Sequence, residues 1–319
     1  MATRISVVIP AYNSARWIAE TLESVRVQNR GDTEVIVVDD GSTDATAKIV
    51  ERQFTEARLI RTPNQGVSHA RNLGTSLAQG DYIQYLDSDD LLAEGKLQTQ
   101  IETLENTDAD IAYGDWQKLT PSSAGFVRGK VMAQVIEGDP EIALFADFWC
   151  PPAAYLFRRR IVDRIGGWNE SLPVIQDARF ALDAALHDGR FVRTPGIMAY
   201  YRAHESGSLS RRNRTAFLRD KYRNAQQVEA WWREHGGVGE ARRIALQRCL
   251  GNVARGSFET DAETFDRAVA DLERLGAGTY TPEGPPHLRA ASKLMGYRRA
   301  EQAASWYRKT KRALAAGRE

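Results

Sequence analysis

Cysteine is nearly absent: the 319 residues hold two, Cys150 and Cys249. With no Cys-x-x-Cys pair, the sequence argues against a disulfide framework and against a cysteine zinc site, and a reducing setting is expected. Also missing is any run approaching the ~20 apolar residues of a membrane span. The nearest, Ile142 to Phe157, is broken by Asp147 and by Pro151-Pro152. The start, Met1-Ala2-Thr3-Arg4-Ile5, passes straight into a strand-like run without the pattern of a secretory leader. No Gly-x-Gly-x-x-Gly follows that first strand, where Pro10-Ala11-Tyr12-Asn13 stands instead, which counts against a nicotinamide-dependent oxidoreductase. A cytoplasmic protein is expected, in contact with a membrane at most from its inner face.

What is present describes a globular chain: 42% hydrophobic and 27% charged side chains, with a mean hydropathy of −0.46. A chain of this length buries roughly three quarters of the surface its unfolded form exposes, so its core needs no staples. The formal charge of +1 conceals an asymmetry. Residues 1–204 carry 21 Lys+Arg against 28 Asp+Glu, whereas residues 205–319 carry 22 against 14. An acidic front half is a poor nucleic-acid footprint, and no nucleic-acid partner is expected; it suits a cation bridging to a phosphorylated ligand.

Short β-branched runs alternate with amphipathic segments of helical length, the sequence form of βα units around a mostly parallel sheet. Strands are expected at 5–9 (ended by Pro10), 34–38, 58–61 and 82–86, with helices at about 15–27, 44–54 and 67–78 between them. After Asp90 the pattern is mixed. Helices near 94–105, 139–147 and 177–187 alternate with strand-like pieces at 109–113, 125–135 and 155–157, and with two short strands around Pro195-Gly196. From Arg214 onward the β signal vanishes, and helices near 214–235, 240–256, 261–275 and 287–316 form an all-α appendage with a Gly/Pro-rich connector at 276–286. The expected domains are 1–212, divided into halves at 106/107, and 213–319.

Strands one, two and four each end in polar or flexible residues: Pro10-Ala11-Tyr12-Asn13, Asp39-Asp40-Gly41-Ser42 and Asp87-Ser88-Asp89-Asp90. That edge of an open α/β sheet is where ligands bind. Helix capping explains Gly41 to Asp44 but leaves two adjacent carboxylates without a purpose. Capping also needs only one side chain of Asp87-Ser88-Asp89-Asp90, and three carboxylates so close repel one another unless a cation or solvent compensates. An Asp-x-Asp arrangement beside a phosphate site is a ligand set for a hard cation such as Mg²⁺ or Mn²⁺.

Four blocks in order carry a resemblance: Ser6-Val7-Val8-Ile9-Pro10-Ala11-Tyr12-Asn13, Val37-Val38-Asp39-Asp40-Gly41-Ser42-Thr43-Asp44, Asn64-Gln65-Gly66-Val67-Ser68-His69-Ala70-Arg71-Asn72 and Tyr85-Leu86-Asp87-Ser88-Asp89-Asp90. Together they resemble family 2 glycosyltransferases, strongly to Leu92 and more faintly to about Ser210. The resemblance implies the GT-A fold, a nucleotide-sugar donor, Mn²⁺ or Mg²⁺, and inversion at the anomeric carbon. Carried over to this sequence, it places the nucleoside against Pro10, Ala11 and Tyr12, with Asp40 reading the base, as a carboxylate can from the N3–H of uracil or thymine. Arg71 would lie near the diphosphate or ribose, Asp87 and Ser88 on the ribose side, and Asp89 on the metal.

Inverting transfer also needs a base for the acceptor hydroxyl, which in the family is an acid opening a helix in the second half. Val174-Ile175-Gln176-Asp177-Ala178-Arg179-Phe180 occupies that place and makes Asp177 the candidate, with Gln176 where the family usually has a second acid. A helix N-terminus favours the ionised carboxylate; capping of that helix is the alternative role. Trp168 and Asn169 fall in a loop that lines the acceptor side in the family, an exposed Trp168 being able to stack on a sugar, with core packing as the other reading. His204 matches a segment whose histidine is a metal ligand or diphosphate contact.

The processive members carry transmembrane helices and Gln-x-x-Arg-Trp; neither is found, so addition of a single sugar to a glycan or lipid-linked acceptor is expected. In the tail, Met295, Ala303, Trp306, Tyr307 and Leu314 share a face beside Arg298, Arg299, Arg308, Lys309, Lys311 and Arg312. That helix could lie on an anionic membrane, or pack on the catalytic domain or a second copy. A nucleotidyltransferase would want more basic residues in the first loop than Arg16. A non-catalytic nucleotide-sugar binder or assembly protein of the same fold is the other alternative.

Overall fold

The computed structural model describes residues 5–28, 30–122, 125–204, 212–276 and 286–316. The chain divides into two compact units, 1–212 and 213–319, taken separately below.

The first unit is built on a nine-stranded mixed sheet in the order β3-β2-β1-β4-β8-β6-β9-β5, with β7 paired to β6. Its parallel part comprises β1 (Ile5–Ala11), β2 (Thr33–Asp39), β3 (Arg58–Arg61) and β4 (Tyr82–Tyr85). The intervening helices are α1 (Ile18–Arg26), α2 (Thr46–Gln53) and α3 (Val67–Leu77). Every residue of β1 is buried, as a strand covered on both faces requires. The order runs outward from β1 through β2 to β3 and then returns to β4 on the other side of β1, so it reverses between β1 and β4. Crevices at the carboxyl ends of strands open at such a reversal.

Pro10 was expected to end the first strand, yet β1 continues through it to Ala11. Leu86 N–H donates to Val8 O on the β4 side, and Asp40 N–H donates to Ala11 O on the β2 side. Pro10 therefore faces the β4 side beyond Tyr85, where β4 has ended and no donor is missed.

The remaining strands are β5 (Leu91–Leu92), β6 (Ile111–Ser122), β7 (Gly125–Met132), β8 (Tyr155–Arg158) and β9 (Phe191–Arg202). The helices among them are α4 (Lys96–Glu105), α5 (Pro140–Ala146), α6 (Arg159–Ile165) and α7 (Gln176–Leu186). Two expectations are corrected here. The segment around Pro195-Gly196 is one strand, not two, running parallel to β6 with its irregularity absorbed as register shifts at Gly114, Asp115 and Trp116. Helix α6, with Ile161 and Val162 buried, had too short an apolar pattern to be expected.

The second unit contains only helices among the described residues: α8 (Arg214–Glu234), α9 (Glu240–Ser257), α10 (Ala262–Arg274), α11 (Pro286–Met295) and α12 (Tyr297–Ala316). Leu218, Tyr222, Ala225, Val228 and Trp232 form the buried stripe of α8. The single helix expected over 287–316 is broken at Gly296, whose φ of 81° interrupts it. Helix α12 buries Ala300, Glu301 and Ser305 and exposes Trp306 and Tyr307, so its covered face is not the apolar one read from the sequence. The side chains of Arg308, Lys309, Lys311, Arg312 and Leu314 lie outside the described residues. Among the described residues no helix is long and apolar enough to cross a membrane.

Lys96 opens α4 with 1% exposure, its Nζ donating to Tyr155 O at 2.7 Å. Burial pushes its pKa well below the ordinary value. The unfolded chain therefore binds a proton the folded chain does not, and stability rises with pH until the unfolded lysine titrates near 10.5. Lys96→Met should raise stability by about 1 kcal/mol at neutral pH and flatten that rise, measured by urea denaturation from pH 6 to 10.

Candidate active site

The carboxyl ends of β1, β2 and β4 are tied together by their own side chains. Asn13 N–H donates to Ser42 Oγ at 2.9 Å while Asn13 Oδ1 accepts from Thr43 N–H at 2.9 Å. Ser14 N–H donates to Thr46 Oγ1 at 2.8 Å, and the Ser14 and Ser88 hydroxyls lie 2.6 Å apart. Thr21 Oγ1 donates to the carbonyls of Ser88 and Asp90. The two adjacent carboxylates of β2 also have separate tasks. Asp39 accepts from Ser42 N–H and closes its own turn, whereas Asp40, 3% exposed, accepts from Gln65 and Gly66 N–H, both at 2.8 Å. Asp40 thus holds the 64–66 turn against the end of β2.

The loops surround a cleft of about 460 Å³. Pro10, Ala11, Tyr12, Asp40, Arg71, Asp87, Ser88 and Asp89 all line it, bringing together every residue the sequence assigned to the nucleotide and one of the two assigned to a metal. Glu170, Pro173 and Gln176 line it as well; neither Glu170 nor Pro173 stood out in the sequence. Tyr12 presents an aromatic ring that is 52% exposed.

Each acid of the Asp87–Asp90 loop has its own partner. Asp87 pairs with Arg71, a guanidinium 1% exposed that lies 4.1 Å over the ring of Trp168. Burial raises the Asp87 pKa; Arg71 opposes that rise, and the charges of Asp89 and Asp177 add to it. Asp89 Oδ2 lies 2.5 Å from His204 Nε2. Asp90 Oδ1 accepts the Arg202 backbone N–H at 2.8 Å, and burial, then Asp89 and Asp87, drive its pKa well above the usual carboxylate range. Arg202 itself is buried, stacks 4.4 Å over Trp17 and pairs with Glu20.

Among the described residues no three His, Cys, Asp or Glu side chains are grouped to cage a metal. Asp89 and His204 supply two donors at the cleft edge, one a hard oxygen. That set fits a divalent cation completed by phosphate oxygens and water, the usual mode for Mg²⁺.

Asp177 sits in the first turn of α7 but is not its N-cap, which is Ile175. Its Oδ2 accepts from Trp149 Nε1–H at 2.8 Å and its Oδ1 from Ala178 N–H at 2.8 Å. It does not line the cleft, yet its charge is felt by Asp87 and by Tyr201. Of the two readings of Trp168, core packing is the one found. Trp168 is 4% exposed, stacked face to face on Phe180 at 4.1 Å and edge-on to Tyr85 at 4.8 Å, so its ring supports Arg71 instead of meeting solvent. Asn169 Oδ1 accepts from Ser171 N–H and Oγ–H, closing the turn that carries Glu170.

Residues 6–166 match the family model "Glycosyl transferase family 2". A UDP-Glc:alpha-D-GlcNAc-diphosphoundecaprenol beta-1,3-glucosyltransferase, WfaP of Escherichia coli, is 32% identical over 212 residues, 65% of this chain and 79% of that protein. The chain belongs to family 2 of the glycosyltransferases. An uncharacterized glycosyltransferase of Rickettsia felis is 34% identical over 147 residues, 43% of this chain and 24% of its own length. Glycosyltransferase GlyG of Streptococcus pneumoniae is 34% identical over 130 residues, 43% of its length. The chain thus spans about a quarter to under a half of these two curated relatives. Among solved structures, Staphylococcus aureus TarS 1–349 in complex with UDP-GlcNAc aligns over 96% of this chain and 92% of that one, with a TM-score of 0.67 at 20% identity. The fold is GT-A, with a helical C-terminal region.

Gly41 lets the turn after β2 pass close to Asn64, because its φ is +80° and an added Cβ would stand 2.8 Å from Asn64 N. Gly66, at φ +97°, has nothing within 4 Å of the same position. Gly41→Ala should therefore cost about 2–4 kcal/mol, left-handed strain plus a backbone collision, and Gly66→Ala about 1–2 kcal/mol from strain alone; urea denaturation of both variants checks the order.

Proposed function

We propose that the protein is a metal-dependent, inverting, non-processive glycosyltransferase. It moves a sugar from a UDP- or dTDP-linked donor to an acceptor hydroxyl in surface glycan or polysaccharide synthesis. The observation that carries the reading is the cleft at the strand-order reversal, where eight of the residues expected to hold donor and metal converge with Asp177 in electrostatic reach. WfaP, by its name, transfers glucose from UDP-Glc to a diphosphoundecaprenol-linked sugar. That supports a UDP donor and a lipid-linked acceptor here. A Pyrobaculum calidifontis mannosyltransferase of TM-score 0.51 was solved with GDP-Man and Mn²⁺, which supports a divalent cation.

In this reading the base stacks on Tyr12, and its edge approaches Asp40, whose oxygens keep lone pairs beyond the two amide bonds. Asp87 accepts from ribose, and Arg71 is directed to ribose or diphosphate. The acceptor oxygen attacks the anomeric carbon from the face opposite the diphosphate. The new C–O bond forms as the bond to the diphosphate oxygen breaks, and the hydroxyl proton passes to Asp177. Asp89 and His204 would hold the cation, which when bound neutralises charge on the departing diphosphate.

Two measurements test this. In calorimetry with UDP, dTDP, GDP and CDP, one uracil or thymine nucleotide should bind in the presence of Mn²⁺ and not with chelator, and Asp89→Ala should lose that binding. Folded protein that binds none of the four removes the donor and metal assignments together. Asp177→Asn should keep nucleotide binding while lowering transfer by about 10²–10⁴-fold; transfer at the wild-type rate would leave the site without its base.

A further inference from the structure

We infer that Trp149 is a positioning residue for Asp177, its indole N–H fixing the carboxylate that takes the acceptor proton. The inference rests on the reading of Asp177 as that base. Trp149 lies in the connection between α5 and β8, where its neighbours Phe148 and Cys150 are both buried, Phe148 edge-on to Tyr113 at 5.4 Å. Pro151-Pro152 follow and lead into a short 3₁₀ turn at Pro152–Ala154. Anchored on both sides, the half-buried Trp149 is held between three elements. Trp116 of β6 meets it edge-on at 5.3 Å, Tyr201 of β9 edge-on at 5.5 Å, and Asp177 of α7 accepts its N–H at 2.8 Å.

Trp116 and Tyr201 also meet each other edge-on at 5.6 Å, so the three rings fix one another's planes. An indole has one donor and no acceptor, and here that donor is spent on one carboxylate oxygen. The other oxygen is taken by Ala178 N–H of the same helix. Two donors from different elements set both the rotation of the carboxylate and the direction left for a substrate proton. The arrangement matters because Asp87 and Asp89 bring negative charge to the same region, as their joint effect on Tyr201 records. Without the Trp149 N–H only the Ala178 N–H would hold the Asp177 carboxylate against that charge, and a small misplacement of a reacting group costs far more rate than stability.

The test uses Trp149→Phe, which keeps a ring for Trp116 and Tyr201 but removes the N–H. Turnover is read as nucleotide release from UDP-glucose, UDP-N-acetylglucosamine or dTDP-glucose, whichever the full-length protein binds, with water as acceptor. The expected result is a kcat about tenfold lower or more, with donor KM within twofold of wild type and an unchanged melting temperature. A ¹H–¹⁵N spectrum should also lose one indole resonance in Trp149→Phe and show that resonance displaced in Asp177→Asn. A kcat within twofold of wild type in Trp149→Phe, while Asp177→Asn loses turnover, overturns the role of Trp149 and leaves the base standing. Wild-type turnover in Asp177→Asn removes the base and this inference with it. An indole resonance unmoved in Asp177→Asn overturns the hydrogen bond itself.

Discussion

The site depends on placing four carboxylates near one end of a sheet without letting their mutual repulsion open it. Each acid is answered by a different partner: Asp87 by the Arg71 guanidinium, Asp89 by His204, Asp90 by the Arg202 backbone N–H, and Asp177 by the Trp149 indole. Only the first of these is an obligatory cation. Asp90 meets the repulsion differently, since burial, with the charges of Asp89 and Asp87 adding to it, drives its pKa well above the usual carboxylate range.

These partners come from far along the chain, which explains the form of the second half of the sheet. Strand β9 runs beside β6 and ends next to the acidic loop, delivering Tyr201 and Arg202 as its last residues and His204 two residues beyond. Arg202 is held by Trp17 and Glu20 at the start of the chain and holds Asp90 by its backbone. His204 reaches Asp89 from that anchored end. On the other side Trp168 packs under Arg71, and Asn72 grips the Trp168 backbone at both N–H and C=O. A residue assigned from sequence to the acceptor thus holds the arginine that pairs with Asp87.

The parallel half of the fold was legible because βα units write their period into the sequence, and the loop acids were legible because turn and motif coincide there. Pro10 misled for a local reason: proline usually ends a strand, but here it falls where the neighbouring strand has already stopped. The single strand through Pro195-Gly196 was hidden because its continuity depends on pairing with β6, about eighty residues away, and not on its own pattern. Whether Trp168 is exposed or packed could not be decided from a loop sequence. Its burial follows from the aromatic trio with Tyr85 and Phe180, contributed by three separate elements.

Trp149 gave no signal for the same reason that it matters. Its neighbours Phe148, Cys150, Pro151 and Pro152 read as a broken apolar run, and that is how they behave, by fixing the backbone. A polar function on a mostly apolar side chain is visible only when its one N–H is seen to have one acceptor. Backbone held by burial, ring planes held by two other rings, and a single directional bond left for the carboxylate form a stiffer support than a flexible charged side chain would give. A lysine in that place would bring charge but also about 2 kcal/mol of rotamer freedom to be lost. A neutral donor on a rigid ring orients the Asp177 carboxylate without adding a charge of its own, which is the support the proposed base needs.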